Sequence, residues 1–298
     1  MKRIFVNLKR FDVPRSMGGV CPDNRPENWI RTVISRASAA GRRVADVDMT
    51  FFVPEALIIP AVEATCTGGA GCVSIGSQGV FRTDAGRDGA FGAFTTFLPA
   101  AAARNMGCKW SIIGHSEERR AMIELIAAYD RGLDAEPHKK EAAARAVDQV
   151  IASEISCALA RGMNVLACVG ETADETEKAE AVLRRQILAA HSLTQRARIA
   201  IAYEPIWAIG PNKTPPGADH IEAVSSYIKR LVIDEFGYDP VVVYGGGLKT
   251  DNAAMIGAIP SVDGGLIALT NFAGQIGYDP AEFEVIVERY IAGTRESR

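Results

Sequence analysis

The chain has 298 residues, 48% of them hydrophobic and 23% charged, and its 33 basic and 36 acidic side chains leave a formal charge of −3. That balance excludes a generally basic nucleic-acid binder and fits a globular protein with a large core. No stretch approaches the roughly eighteen apolar residues of a membrane helix, and charged residues break up the N-terminus where a secretory leader needs an apolar run. The six cysteines (Cys21, Cys66, Cys72, Cys108, Cys157 and Cys168) follow no metal-ligand spacing and no compact disulfide pattern. They are expected to be buried thiols in a reducing cytoplasm.

In chain order, short apolar runs fall at Ile4–Asn7, Met49–Val53, Cys72–Ile75, Trp110–Ile113, Val165–Val169, Ile199–Tyr203, Val241–Tyr244 and Leu266–Leu269. Continuous apolar runs of this length are what parallel strands covered on both faces require. Between them lie helical patterns. Asn28–Ala40 puts Ile30, Val33, Ile34 and Ala37 on one face and is expected to stop at Gly41. Ala143, Val147, Ile151, Ile155 and Leu159 recur every four residues; Glu175–Ala190 and Ile221–Phe236 are similar, and Thr250 is placed as an N-cap. Eight strand–helix repeats are the count that closes a (β/α)8 barrel. An open doubly wound sheet usually carries a glycine-rich turn after its first strand, whereas this strand runs into Asn7-Leu8-Lys9. With no Pro/Ser-rich linker, residues 1–298 are read as one α/β barrel domain.

In such a barrel the C-terminal strand ends carry the chemistry. Asn7 and Lys9 follow strand one, His115 strand four, Glu171 strand five, Glu204 strand six, Gly245-Gly246-Gly247 strand seven and Asn271 strand eight. An amide, an ammonium, an imidazole, two carboxylates and a glycine triplet point to chemistry on a small anion. His115 precedes Ser116-Glu117-Glu118-Arg119, a possible helix start whose free N–H groups disfavour protonation of a nearby imidazole. Glu204 leads into Pro205-Ile-Trp207 and the turn-rich Gly210–Pro216, as expected of a carboxylate base beside a loop that can exclude water. Glycines at 245–247 allow backbone N–H groups to approach a phosphate, although a triplet alone also makes an ordinary tight turn. His138, His191 and His220 are assigned no role.

Trp110-Ser-Ile-Ile-Gly-His115-Ser-Glu117, Ala167-Cys168-Val-Gly-Glu171, Ala202-Tyr-Glu204-Pro-Ile-Trp-Ala-Ile-Gly210, Tyr244-Gly-Gly and Val262-Asp-Gly264 together resemble the triosephosphate isomerase family, in type and order, over almost the whole chain. That family is itself the reference case of a glutamate base working with a neutral histidine. The resemblance implies a TIM barrel that interconverts dihydroxyacetone phosphate and glyceraldehyde 3-phosphate, in glycolysis and gluconeogenesis. Glu204 is then the proton shuttle and His115 the electrophile. Lys9 supplies positive charge, Asn7 holds a substrate oxygen and Glu117 orients Lys9. Main-chain N–H groups near Gly210, Gly247 and Ala268-Leu269 hold the phosphate. No metal or organic cofactor is implied, and the partner is a small phosphorylated sugar, not nucleic acid or membrane.

The sequence also departs from the family pattern. Gly247 replaces a serine, and Ala268-Leu269 replaces a Gly-Gly whose bare backbone the new side chains are expected to crowd. Pro215, which has no N–H, stands where an alanine N–H usually meets the Tyr244 hydroxyl. Phe97 and Glu118 replace the two members of a family ion pair, and an apolar contact is expected in its place. Thr95 fits a residue that enters a partner subunit, implying a homodimer. Insertions near Pro14–Pro26 and Ala121–Lys140 are expected to form long rim loops that influence substrate choice. The alternatives are the same chemistry on a four-carbon tetrulose phosphate, and a non-catalytic barrel that binds a phosphorylated metabolite.

Overall fold

The computed structural model describes every residue except 45, 68–71, 87–90, 192–197, 211–212, 272–275 and 297–298, and the side chain of 296. Eight strands, β1 (Lys2–Asn7), β2 (Val47–Val53), β3 (Val73–Ser77), β4 (Trp110–Ile113), β5 (Asn164–Val169), β6 (Ile199–Tyr203), β7 (Val242–Tyr244) and β8 (Gly264–Ile267), pair in parallel and in sequence order. β8 returns to β1 through Arg3↔Gly264 and Ile4↔Gly265, which closes the (β/α)8 barrel. Successive side chains alternate between its two faces. One set, including Phe5, Phe52, Trp110, Leu166, Ala202, Val243 and Leu266, forms a cluster of its own, with Phe5 packed edge-on against Trp110. The other set joins the surrounding helices; Ile4, Val6, Phe51, Ile75 and Ile113 pack with Ile30, Ile34, Ile155 and Phe283.

The helices are α1 (Pro26–Arg43), α2 (Ile58–Thr67), α3 (Ala100–Asn105), α4 (Ser116–Tyr129), α5 (Pro137–Ala160), α6 (Ala179–Ala190), α7 (Ala218–Phe236), α8 (Ala253–Gly257) and α9 (Pro280–Glu296). Among the described residues, no helix is long and apolar enough to cross a membrane. Several boundaries differ from the sequence reading. α1 runs through Gly41 instead of stopping there, because a Cβ at that position would sit 2.4 Å from Cys72 Sγ; the glycine serves packing. Thr250 is not an N-cap: its hydroxyl donates to Glu282, and Asn252 precedes the short α8. Residues 173–178 form a separate 3-10 turn ahead of α6, started by a Thr172–Glu175 capping box. β8 begins at Gly264 and ends at Ile267, so Ala268 and Leu269 lie beyond the strand.

Segment 121–140, expected as an inserted rim loop, is mostly helical, supplying the end of α4, a 3-10 turn at Leu133–Ala135 and the start of α5. Segment 14–26 contains a 3-10 turn at Arg15–Met17 and a Pro14↔Cys21 bridge. All six cysteines are free, but only Cys21, Cys108 and Cys168 are buried; Cys66 is exposed at the end of α2.

Candidate active site

The strand ends of β1, β4 and β6 bring five of the expected residues, Asn7, Lys9, His115, Glu117 and Glu204, into a connected arc. Asn7 ends β1 and is buried. Two residues on, Lys9 adopts a left-handed backbone, φ 33°, a conformation that costs a non-glycine residue about 1–2 kcal/mol. The turn is held from both sides. Lys9 N–H donates to Asn7 Oδ1 at 3.1 Å, while Gln78 Nε2 donates to Asn7 Oδ1 at 3.0 Å and to Lys9 O at 2.8 Å. The Lys9 ammonium then reaches Glu117 Oε1 at 2.8 Å. Burial pushes the Glu117 carboxyl up, but the Lys9 bond and charge, with His115 and Arg120, leave it below the ordinary carboxylate range.

His115 caps α4: its Nδ1 accepts the Glu117 N–H at 3.2 Å. An accepting Nδ1 leaves a neutral ring its proton on Nε2, and Nε2 lies 3.3 Å from Glu204 Oε1. Glu204 follows β6 and is only 2% exposed, its Oε2 accepting the Ser116 N–H at 3.0 Å. Burial raises its carboxyl above the usual value, and His115, Ser116 N–H, Arg119 and Lys9 pull in the other direction without cancelling that rise. A raised, partly compensated carboxylate is suited to take a proton from carbon and return it.

Two glycines make room for Glu204. A Cβ on Gly170 would lie 1.8 Å from Glu204 O, and one on Gly245 would lie 2.9 Å from Glu204 Cγ. Gly170 is fixed in turn by Gln186, which accepts its N–H at 2.8 Å and donates to its carbonyl at 3.0 Å.

The segment after Glu204 hangs from a buried carboxylate. Glu171, 1% exposed, accepts Trp207 Nε1–H at 2.6 Å and the Tyr203 hydroxyl at 2.9 Å on the same Oε1. His220 Nε2 lies 3.1 Å from the Tyr203 oxygen and, since that hydroxyl donates to Glu171, acts as donor. Trp207 thus bonds the anion directly, while His220 at the start of α7 reaches it only through the Tyr203 hydroxyl.

The remaining expected residues lie at neighbouring strand ends. Gly247, φ 94°, follows β7; a Cβ there would meet nothing closer than Lys249 Cε at 3.8 Å. β7 pairs with β8, and Ala268 and Leu269 continue from it, both half-buried. Leu269 packs against the helix-facing core, so its side chain does not simply crowd the site as expected. Gly210, φ 125°, is exposed, and residues 211–212 next to it lie outside the described residues. The Tyr244 hydroxyl is buried without a hydrogen-bond partner among the described residues, and burial raises it to about 12. Where an apolar contact was expected, Glu118 accepts the Gly114 N–H at 2.6 Å and Phe97 stacks on Phe81 at 4.3 Å.

Sequence reasoning missed Gln78, Gln186 and Arg119. Gln78 directly follows β3, so the strand-end rule that selected the other residues could have found it. Gln186 and Arg119 lie on helices, with no sequence signal linking them to the strand ends they hold.

The family model for triosephosphate isomerase matches residues 26–288. The chain belongs to the triosephosphate isomerase family. A triosephosphate isomerase from Marinobacter nauticus is 34% identical over 260 residues, covering 85% of this chain and 90% of the relative. One from Alkalilimnicola ehrlichii is 30% identical over 273 residues, covering 87% and 95%. One from Symbiobacterium thermophilum is 33% identical over 204 residues, covering 65% and 68%.

Proposed function

We propose that this chain is a triose-phosphate isomerase, converting dihydroxyacetone phosphate and glyceraldehyde 3-phosphate through an enediolate. Glu204 removes a proton from the carbon next to the carbonyl. His115 donates its Nε2 proton to the carbonyl oxygen and recovers one from the neighbouring hydroxyl as the double bond shifts. Glu204 then returns its proton to the other carbon, so no atom is gained or lost. Lys9 offsets the negative charge that develops on the oxygens, Asn7 orients one of them and Glu117 keeps the ammonium in place. N–H groups of Gly210, Gly247, Ala268 and Leu269 hold the phosphate.

The observation that carries this reading is the 3.3 Å approach of His115 Nε2 to a buried Glu204 whose second oxygen is held by Ser116 N–H. The test is Glu204→Gln: turnover should fall by about 10²–10⁴-fold while binding of a phosphate-bearing enediolate mimic persists. Wild-type turnover would remove Glu204 from the reaction.

Gly247 favours a second reading, since the space beside it suits a slightly longer ketose phosphate. Equal-enzyme assays on triose and tetrulose phosphates decide between them, and a far higher kcat/KM for the tetrulose would make it the substrate. The proposal extends to one barrel domain bearing both insertions, active as a cytoplasmic homodimer. Exposed Phe91 and Phe97 flanking Thr95 support a subunit contact there. A fully active monomer in sedimentation would refute the dimer.

A further inference from the structure

The turn that carries His115 is gripped from behind by two consecutive side chains of α4. Gly114, φ 80°, donates its N–H to Glu118 Oε2 at 2.6 Å, and Arg119 Nε donates to the Gly114 carbonyl at 2.9 Å. Arg119 has clear compensation: it also bonds Cys168 O at 3.3 Å and Asp148 Oδ1 at 2.7 Å, and Asp148 takes Arg185 Nε at 2.7 Å on its other oxygen. Glu118 is different. Its side-chain neighbour is another carboxyl, Glu154 of α5, which is 5% exposed and whose Oε2 has no hydrogen-bond partner among the described residues.

Glu154 is buried and Glu118 half-buried beside it, and a buried carboxylate next to a second carboxylate stays charged only at high cost. A proton on Glu154 resolves three features together. It removes the buried charge, gives the unpartnered carboxyl an O–H to donate, and leaves Glu118 free to accept from Gly114. The groups facing Glu154 are Glu118 and Arg119 from α4, Arg82 from the segment after β3 and Cys157 from its own helix. Burial, then Glu118, push its carboxyl up to about 10, and the two arginines do not reverse that.

We propose that Glu118, seated by a protonated Glu154, is a positioning residue that fixes the Gly114 N–H and thereby the placement of the His115 ring. This rests on the catalytic reading of His115. In effect, a hydrogen-bonded acid–carboxylate pair backs the His115 turn and serves the reaction from outside the site.

The experiment measures kcat, KM and thermal midpoint against pH for wild type, Glu118→Ala, Glu118→Gln and Glu154→Gln. Glu118→Ala leaves a buried N–H unpaired and should lower kcat about tenfold with KM within about twofold, since the phosphate contacts are untouched. Glu118→Gln presents an amide oxygen to Gly114 and an NH2 to Glu154, and should recover most of that loss. Glu154→Gln keeps a donor and should retain turnover. Its stability has a pH signature. The folded protein keeps a Glu154 proton that the unfolded chain releases above about pH 4.5, so wild-type stability falls as pH rises toward 10, and the glutamine variant escapes that fall. Its advantage in midpoint should therefore grow from pH 5.5 to 8.5.

Wild-type kcat in Glu118→Ala, or an equal loss in Glu118→Gln, overturns the positioning role. A pH-independent midpoint difference for Glu154→Gln overturns the protonated pair, and decides the matter even if Glu118→Ala fails to fold. His115→Gln with undiminished turnover would instead refute the catalytic reading, leaving the midpoint series as an independent test of the pair.

Discussion

Gly170→Ala is a severe test of how Glu204 is held. The added methyl would sit 1.8 Å from the Glu204 carbonyl oxygen and 2.8 Å from its carbonyl carbon. Since real Cβ contacts essentially never fall below 3.0 Å, the two segments must separate by at least 1.2 Å. Gly170 cannot easily yield, because Gln186 binds both its N–H and its carbonyl. The displacement should therefore fall on the end of β6, where Glu204 N–H donates to Val169 O at 2.8 Å. A misplacement of about 1 Å in a catalytic group costs on the order of 10²-fold in rate. The variant should lose about 10²-fold in kcat and some thermal stability, with a smaller change in KM because the clash bears on the Glu204 backbone. The assay is steady-state kinetics on triose phosphate, with circular dichroism to establish folding. A folded variant with kcat within about twofold of wild type would show that β6 accommodates the methyl elsewhere and that the Gly170 contact does not set the position of the base.

Three further outcomes follow from the same network. Trp207→Phe and Tyr203→Phe each remove one donor from Glu171 and should cost about 1.5–3 kcal/mol apiece. The double variant should lose more than their sum, because the buried carboxylate keeps neither donor, and strict additivity in urea unfolding would refute the shared anchor. Arg119→Met strips donors from Gly114 O, Cys168 O and Asp148, and should destabilise by about 3 kcal/mol or more; a loss under about 1 kcal/mol in urea unfolding would show that Arg185 alone suffices for Asp148. The acid limb of kcat/KM should lie above the ordinary glutamate value of 4.5, since the base works deprotonated and burial raises Glu204, so activity falls as pH drops through that raised value. A limb at or below 4.5 in the free-enzyme profile would place the titrating group elsewhere.

The barrel was legible because its strands are covered on both faces and appear as eight unbroken apolar runs, separated by helical periodicity. Strand ends also announced the arc, since a polar residue directly after such a run has only the barrel mouth to enter. Helix interiors were less readable. Gly41 resembles a stop signal in sequence, yet Cys72 from a distant strand supplies its actual reason. Glu118 resembled half of a vanished ion pair, and nothing local indicated that its new partner would be an acid on α5, 36 residues away. Gln186 and Arg119 were invisible for the same cause: long side chains on one layer satisfy backbone groups on another, and sequence spacing carries no trace of that meeting.

The left-handed backbone at Lys9 bears on how this protein responds to selection. Glycine at that position would relieve the conformational cost, but it would also delete the ammonium that pairs with Glu117. On the role proposed for Lys9, a screen that ranks variants by heat resistance alone would drift toward an inert barrel, and one that also demands turnover would keep a lysine in a shape that lysines avoid.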